Sequence, residues 1–264
     1  MTSLRALLAV GVVLALTSCG SKPGRSSATT TSRAAEPTST TMASAPTSTP
    51  TSTLTSTSTS TTTVPRARSQ PLFPFASLQE VAGWQARDGA VHQPWRLDAG
   101  RTALAFAQFL GYTEIDRVVS VENDARGAHI GVGFATENAR TGTAAVVHLV
   151  RYGSGQNVPW EVVGTDDTDF TLELPHYGSA ITSPVRVAGR ITGVDESISV
   201  HVQQLRANGY LGERCCIAAG GESSPWATTV SFQPPTDPVL IISASTGGHI
   251  QGVERFAVTG VTTR

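Results

Sequence analysis

The residues able to do chemistry in this chain are few and mostly far apart. Three cysteines occur, Cys19 near the start and the adjacent Cys215 and Cys216 late in the sequence. Neighbours in a strand point to opposite faces, so a bond between Cys215 and Cys216 requires a turn-like departure from extended backbone. Three states fit the pair: two thiols in a loop or strand, a vicinal disulfide, and a bond to another chain. The two thiols are the expectation. Asp166, Asp167 and Asp169 cluster carboxylates that could attract calcium, but an EF-hand loop needs further oxygen ligands and a terminal Glu at set spacing. They therefore read as a solvated turn between two strands. The six histidines, His92, His129, His148, His176, His201 and His249, are scattered, and none stands at ligand spacing beside the cysteine pair. The sequence carries no nucleophile elbow, no H-E-x-x-H pair and no phosphate-cradling loop. The expectation is a protein that is not an enzyme, with no cofactor and no metal.

Position gives Cys19 a different meaning. Arg5 supplies a positive start, residues 6–16 are unbroken apolar or small, and Leu16-Thr17-Ser18-Cys19-Gly20 closes the run. A membrane-spanning helix needs roughly 20 apolar residues, whereas the core of an export signal needs only about 7 to 15. Here the chain turns polar after about a dozen, which fits the signal. The closing segment resembles a bacterial lipobox. The resemblance implies removal of residues 1–18, a diacylglycerol on the Cys19 thiol, and a mature protein held on the extracytoplasmic face of the cell membrane.

Residues 37–65 are Ser, Thr or Pro at every position except Met42, Ala43, Ala45, Leu54 and Val64, and none is charged. Such a stretch has too little apolar surface to offset its ordering entropy. Residues 19–70 are thus expected as a disordered spacer with coil dimensions on the order of 40 Å. Tracts of this composition also occur as O-glycosylated stalks, and both forms of the spacer remain open.

In residues 71–264, 13 arginines face 19 carboxylates, a net charge of about −6. No dense Lys/Arg face is available for phosphate backbones, which excludes nucleic acid as a partner. The first part, residues 71–178, reads as α+β. Asp98 is placed to cap a helix over residues 101–110, Leu104, Ala107 and the pair Phe106/Leu110 recur at helical spacing, and Gly111 stops it. Residues 118–121, 129–134, 143–151, 160–164 and 170–174 then alternate as short strands, with turn chemistry such as Glu137-Asn138 between them. A helix against an antiparallel sheet is expected, comparable to a cystatin-like roll.

Residues 179–264 change in kind. Ile181-Thr-Ser-Pro-Val-Arg-Val-Ala-Gly189 is followed by Glu196-Ser-Ile-Ser-Val-His-Val202, by Gly209, Gly212 and Gly220-Gly221, and by Pro225-Trp-Ala-Thr-Thr-Val-Ser-Phe232. This part resembles the immunoglobulin-like domain of bacterial spore-germination proteins, a module found with GerM-type domains. Independently of the resemblance, about seven half-buried strands alternate at sandwich spacing. The resemblance implies an extracellular sandwich used as a spacer or interaction surface, and it brings no catalytic motif with it.

Two functions follow as expectations. One is a non-catalytic envelope module, held to the membrane through Cys19, that binds a cell-wall polymer or another exported protein near residues 175–184. The other is a small-ligand carrier or enzyme with a pocket lined by Phe106, Phe109, Phe134 and Trp160.

Overall fold

Asp98 starts the helix that organises the first half of the body. Its carboxylate accepts the Arg101 N–H at 2.8 Å, satisfying one of the donors that a helix start leaves open. The helix, α3 (Ala99–Phe109), follows α1 (Leu78–Ala86), the single turn α2 (Gly89–His92) and a 3-10 turn at Pro94–Leu97. Gly111, at φ 89°, ends the helical run. The computed structural model describes residues 70–124, 127–136 and 140–263. Cys19, the expected export signal and residues 19–69 of the expected spacer lie outside the described residues. Among the described residues no helix is long and apolar enough to cross a membrane.

The fold is mostly β, with two sheets and few helices. Strands β1 (Arg117–Asn123), β2 (Ala128–Ala135), β3 (Thr141–Arg151) and β4 (Trp160–Thr165) form an antiparallel meander in the order β1-β2-β3-β4. Their inner face carries Ala128, Ile130, Val132, Val147, Leu149 and Val162 against Phe106 and Ala107 of α3 and Leu110 at its C-terminal end. The period-two alternation that buries these residues sends His129 and His148 to the other face.

The second sheet contains β5 (Ala180–Ile181), β6 (Val185–Gln203), β7 (Gly212–Val230), β8 (Val239–Thr246) and β9 (Arg255–Thr263), in the order β5-β9-β8-β6-β7. The sequence suggests several short strands here, whereas β6 and β7 each run for 19 residues. Register shifts between Ile191 and Glu196 and between Ile198 and Val200 take up the irregularities that read as breaks. Residues 170–174, expected as a strand, make only isolated bridges, Phe170 to Ile191 and Leu174 to Ala188.

The β8–β9 hairpin is buried on both faces, and this shapes the whole body. Leu240, Ile242, Ala244, Ala257 and Val261 join Phe170, Val187, Ile198, Val200 and Trp226 on one side. Ile241, Phe256 and Val258 join Phe106, Tyr112 and Ile130 on the other. The described residues belong to one compact unit, and this packing crosses the boundary expected at residues 178 and 179. Thr165, at the end of β4, reinforces the crossing by accepting the Val258 N–H at 2.8 Å. Burial drives the hydroxyl of Tyr112, which lies beside Ser243 and Ser245, up to about 12.

The chain enters this body through a stitched segment. The Gln70 N–H donates to the Tyr177 hydroxyl at 2.9 Å, that hydroxyl donates to the Gln70 carbonyl at 2.7 Å, and Leu72 N–H donates to Val162 O at 3.0 Å. Phe75 N–H then donates to the buried Glu161 carboxylate, at 3.3 and 3.4 Å to its two oxygens. Burial pushes Glu161 well above the usual carboxylate range, despite the opposing Phe75 and Phe73 N–H groups and the Arg96 guanidinium. A raised folded value means that the native state holds the proton more tightly than the unfolded chain does. The penalty is complete above the folded value and is relieved as pH falls through it toward the ordinary Glu value of about 4.3. Glu161→Gln keeps an acceptor for Phe75 and loses the charge. Thermal unfolding should show the variant more stable than the parent at pH 8, with the advantage shrinking by pH 5. An equal or lower melting temperature at pH 8 would contradict this account of Glu161.

Candidate functional site

Three side chains dispersed in the sequence meet on the face of the four-stranded sheet opposite α3. His129 of β2 and His148 of β3 are direct cross-strand partners, and their rings stack at 4.4 Å between centroids with 26° between planes. Asp166 follows β4, and its N–H donates to Val146 O at 2.9 Å, which extends the pairing with β3 past Thr165. The Asp166 carboxylate thereby reaches both rings, 2.5 Å from His129 Nδ1 and 3.8 Å from His148 Nδ1. The ligand atoms of the three residues all lie within 4.8 Å of one another. The site is neither closed nor free in water: the side chains of His129, His148 and Asp166 keep 24, 18 and 31 % of their exposure.

A fourth group stands behind His129. Asp124 closes the β1–β2 turn, its Oδ1 accepting the Gly127 N–H at 2.7 Å, and its Oδ2 lies 3.9 Å from His129 Nε2. Gly127 must remain small, because a Cβ there would collide with the Leu149 carbonyl oxygen and come within 3.2 Å of His148 Nε2. Two imidazoles and a carboxylate on rigid strands can exchange a proton or hold a divalent transition metal.

The histidines are scattered along the sequence and point to no metal set, whereas the fold brings His129 and His148 side by side. The alternation of β2 and β3 puts both histidines on the face away from the apolar residues, but their direct opposition depends on the register shift between Val132 and Gly133. Asp166 was harder to find. The register shift between His148 and Leu149 decides which β4 residue flanks His148, and the sequence does not announce it.

The other expected positions fall elsewhere. Phe106 is fully buried, Phe134 nearly so, and Phe109 and Trp160 pack against the same core. Phe73 fills the space beside them, 5.7 Å from Phe106 and 5.2 Å from Phe109 between ring centroids. Trp160 instead carries the Arg151 guanidinium over its ring at 4.0 Å. The four are packed core side chains and do not converge on a common opening.

Cys215 and Cys216 form a vicinal disulfide, which corrects the expectation of two thiols. Ile198 pairs with Ile217 and Val200 with Arg214, so the two cysteines together oppose the single residue Ser199 in a bulge. Cys216 adopts φ 67°, away from extended backbone, which brings the sulfurs to the same side. Both cysteines are exposed on β7, at the sheet edge.

Near the junction expected to bind a partner, Thr165, Asp167, Leu172, Glu173, His176, Tyr177, Val258 and Thr259 line an open cleft of about 400 Å³. Its walls come from the end of β4, the 166–177 connection and β9. No family model matches the chain, and neither a curated protein nor a solved structure was found to match it.

Proposed function

We propose that the protein is a lipid-anchored, non-catalytic module of the cell envelope, tethered through Cys19, that presents its β body beyond a Ser/Thr/Pro-rich spacer to bind an exported protein or wall polymer. One observation carries the reading: immediately after the spacer composition ends, the chain is stitched into the body by Gln70, Leu72 and Phe75. A tether needs such a fastening, because force along the spacer would otherwise peel the first residues from the sheet. The finer architecture belongs to the same proposal. The α3-covered meander acts as an α+β part, and residues 179–264 act as an immunoglobulin-like sandwich similar to that of spore-germination proteins.

The polar cleft lined by Asp167, Glu173, His176 and Tyr177 supports a partner site at the junction. Its carboxylates, on a body of about −6 net charge, favour a neutral or basic partner over an acidic polymer. The carrier alternative depended on Phe106, Phe109, Phe134 and Trp160, whose side chains are engaged in packing, and no observation favours it. The anchor is tested by the mass of the mature N-terminal peptide.

A further inference from the structure

We propose that His129, His148 and Asp166 form a binding site for a divalent transition metal, with zinc(II) the best-matched ion and at least one coordination position left open to solvent. The inference does not depend on the anchor or on the partner cleft. It rests first on ligand chemistry. Imidazole suits zinc, copper, nickel and iron, whereas calcium and magnesium prefer sites made of oxygen ligands. Two histidines and one carboxylate are a three-ligand set of the kind that leaves zinc a fourth position for water or another ligand.

It rests next on geometry. Zinc bonds of about 2.0 to 2.2 Å in a tetrahedron separate ligand atoms by roughly 3.4 Å. The donor atoms here lie within 4.8 Å of one another, so small rotations of two rings and one carboxylate suffice. The backbone can stay still, because the histidines are paired across β2 and β3 and Asp166 is held by Val146. Both Nδ1 atoms already face the Asp166 carboxylate, which makes them the natural donors. With a metal on His129 Nδ1, the ring proton resides on Nε2, toward the Asp124 carboxylate 3.9 Å away. A carboxylate behind a ligating imidazole fixes its tautomer and orientation, and Asp124 is itself aimed by its bond from Gly127.

The test uses the full chain, purified in detergent without a histidine tag and stripped with a chelator. Titration with zinc chloride in a calorimeter should show one saturable equivalent per chain, and cobalt(II) should develop the visible absorption of a site with low coordination number. The double variant His129→Ala/His148→Ala and the single variant Asp166→Asn should lose stoichiometric uptake. Asp124→Asn should weaken binding by about 10- to 100-fold. His92→Ala, exposed on α2 and outside both the cluster and the cleft, should bind like the parent. Circular dichroism of the metal-free variants checks that each is folded, and Asp166→Asn, nearly isosteric, serves if the double variant does not fold. Absence of saturable binding of zinc, cobalt, nickel and copper by the parent would overturn the proposal. So would uptake that is unchanged in a folded variant lacking these ligands.

Discussion

Phe256→Ala should lower the unfolding free energy by about 3 to 5 kcal/mol, the usual cost of emptying a buried aromatic site. Phe256 is 1 % exposed, and its ring packs 5.1 Å from Tyr112 between centroids. It projects from β9 toward the core shared with α3 and the meander, while its neighbour Ala257 projects into the other core. The side chain thus belongs to the wall that both halves use. Domains typically hold only about 5 to 15 kcal/mol of net stability, so the loss should be conspicuous. Trp84, Trp95 and Trp160 report from residues before 179 and Trp226 from the part after it, which lets urea unfolding follow both. With the shared wall, fluorescence of a variant keeping only Trp226 and of one keeping only the first three should shift to lower urea together. A cost below about 1 kcal/mol, or a shift confined to one set of probes, would contradict the packing described for β8–β9.

The second large effect is expected at an ion pair whose carboxylate is buried and whose guanidinium is partly exposed. Glu196 and Arg255 are joined across the sheet, and the Thr246 hydroxyl donates to the same carboxylate. A second Arg255 nitrogen donates to Thr192 O at 2.5 Å. The side chain of Glu196 retains 5 % of its exposure and that of Arg255 23 %. Removing one partner of such a pair leaves a charge without compensation and costs about 3 to 5 kcal/mol, whereas removing both charges costs much less. Arg255→Ala should therefore be strongly destabilising, and adding Glu196→Gln to it should recover a large part of the loss. Denaturation of the two single variants and the double variant measures the coupling directly. Additive losses would mean that the pair contributes no specific interaction.

How much of this was legible depended on whether a feature is local. The Asp98 cap and its helix, the four strands of the meander and the alternation that buries Ile130, Val147 and Leu149 are written in spacings of two to four residues. Pairing over longer distances was not. The short strands expected in residues 179–264 are joined into the 19-residue β6, whose bulges between Ile191 and Glu196 absorb the mismatch with β7. Cys215 and Cys216 read as thiols because regular strand geometry parts their side chains, and the bulge opposite Ser199 removes that obstacle. Phe106, Phe109, Phe134 and Trp160 suggested a concavity, but Phe73, from a lead-in segment with no periodic pattern, fills the space beside them. Of the His129, His148 and Asp166 cluster, the shared face of the two histidines was legible in the strand alternation, while their direct opposition depended on a register shift in the β2–β3 ladder and Asp166 on one in the β3–β4 ladder.

The body explains what a tether would present, and Cys19 explains where it would be held. The most direct measurement of that central claim is the mass of the N-terminal peptide of the mature protein, isolated from the membranes of a bacterium that processes lipoproteins. The account predicts a peptide beginning at Cys19 and carrying the added mass of a diacylglycerol, with its loss from the membrane fraction in Cys19→Ala. A mature chain that begins elsewhere, or an unmodified Cys19, would contradict it.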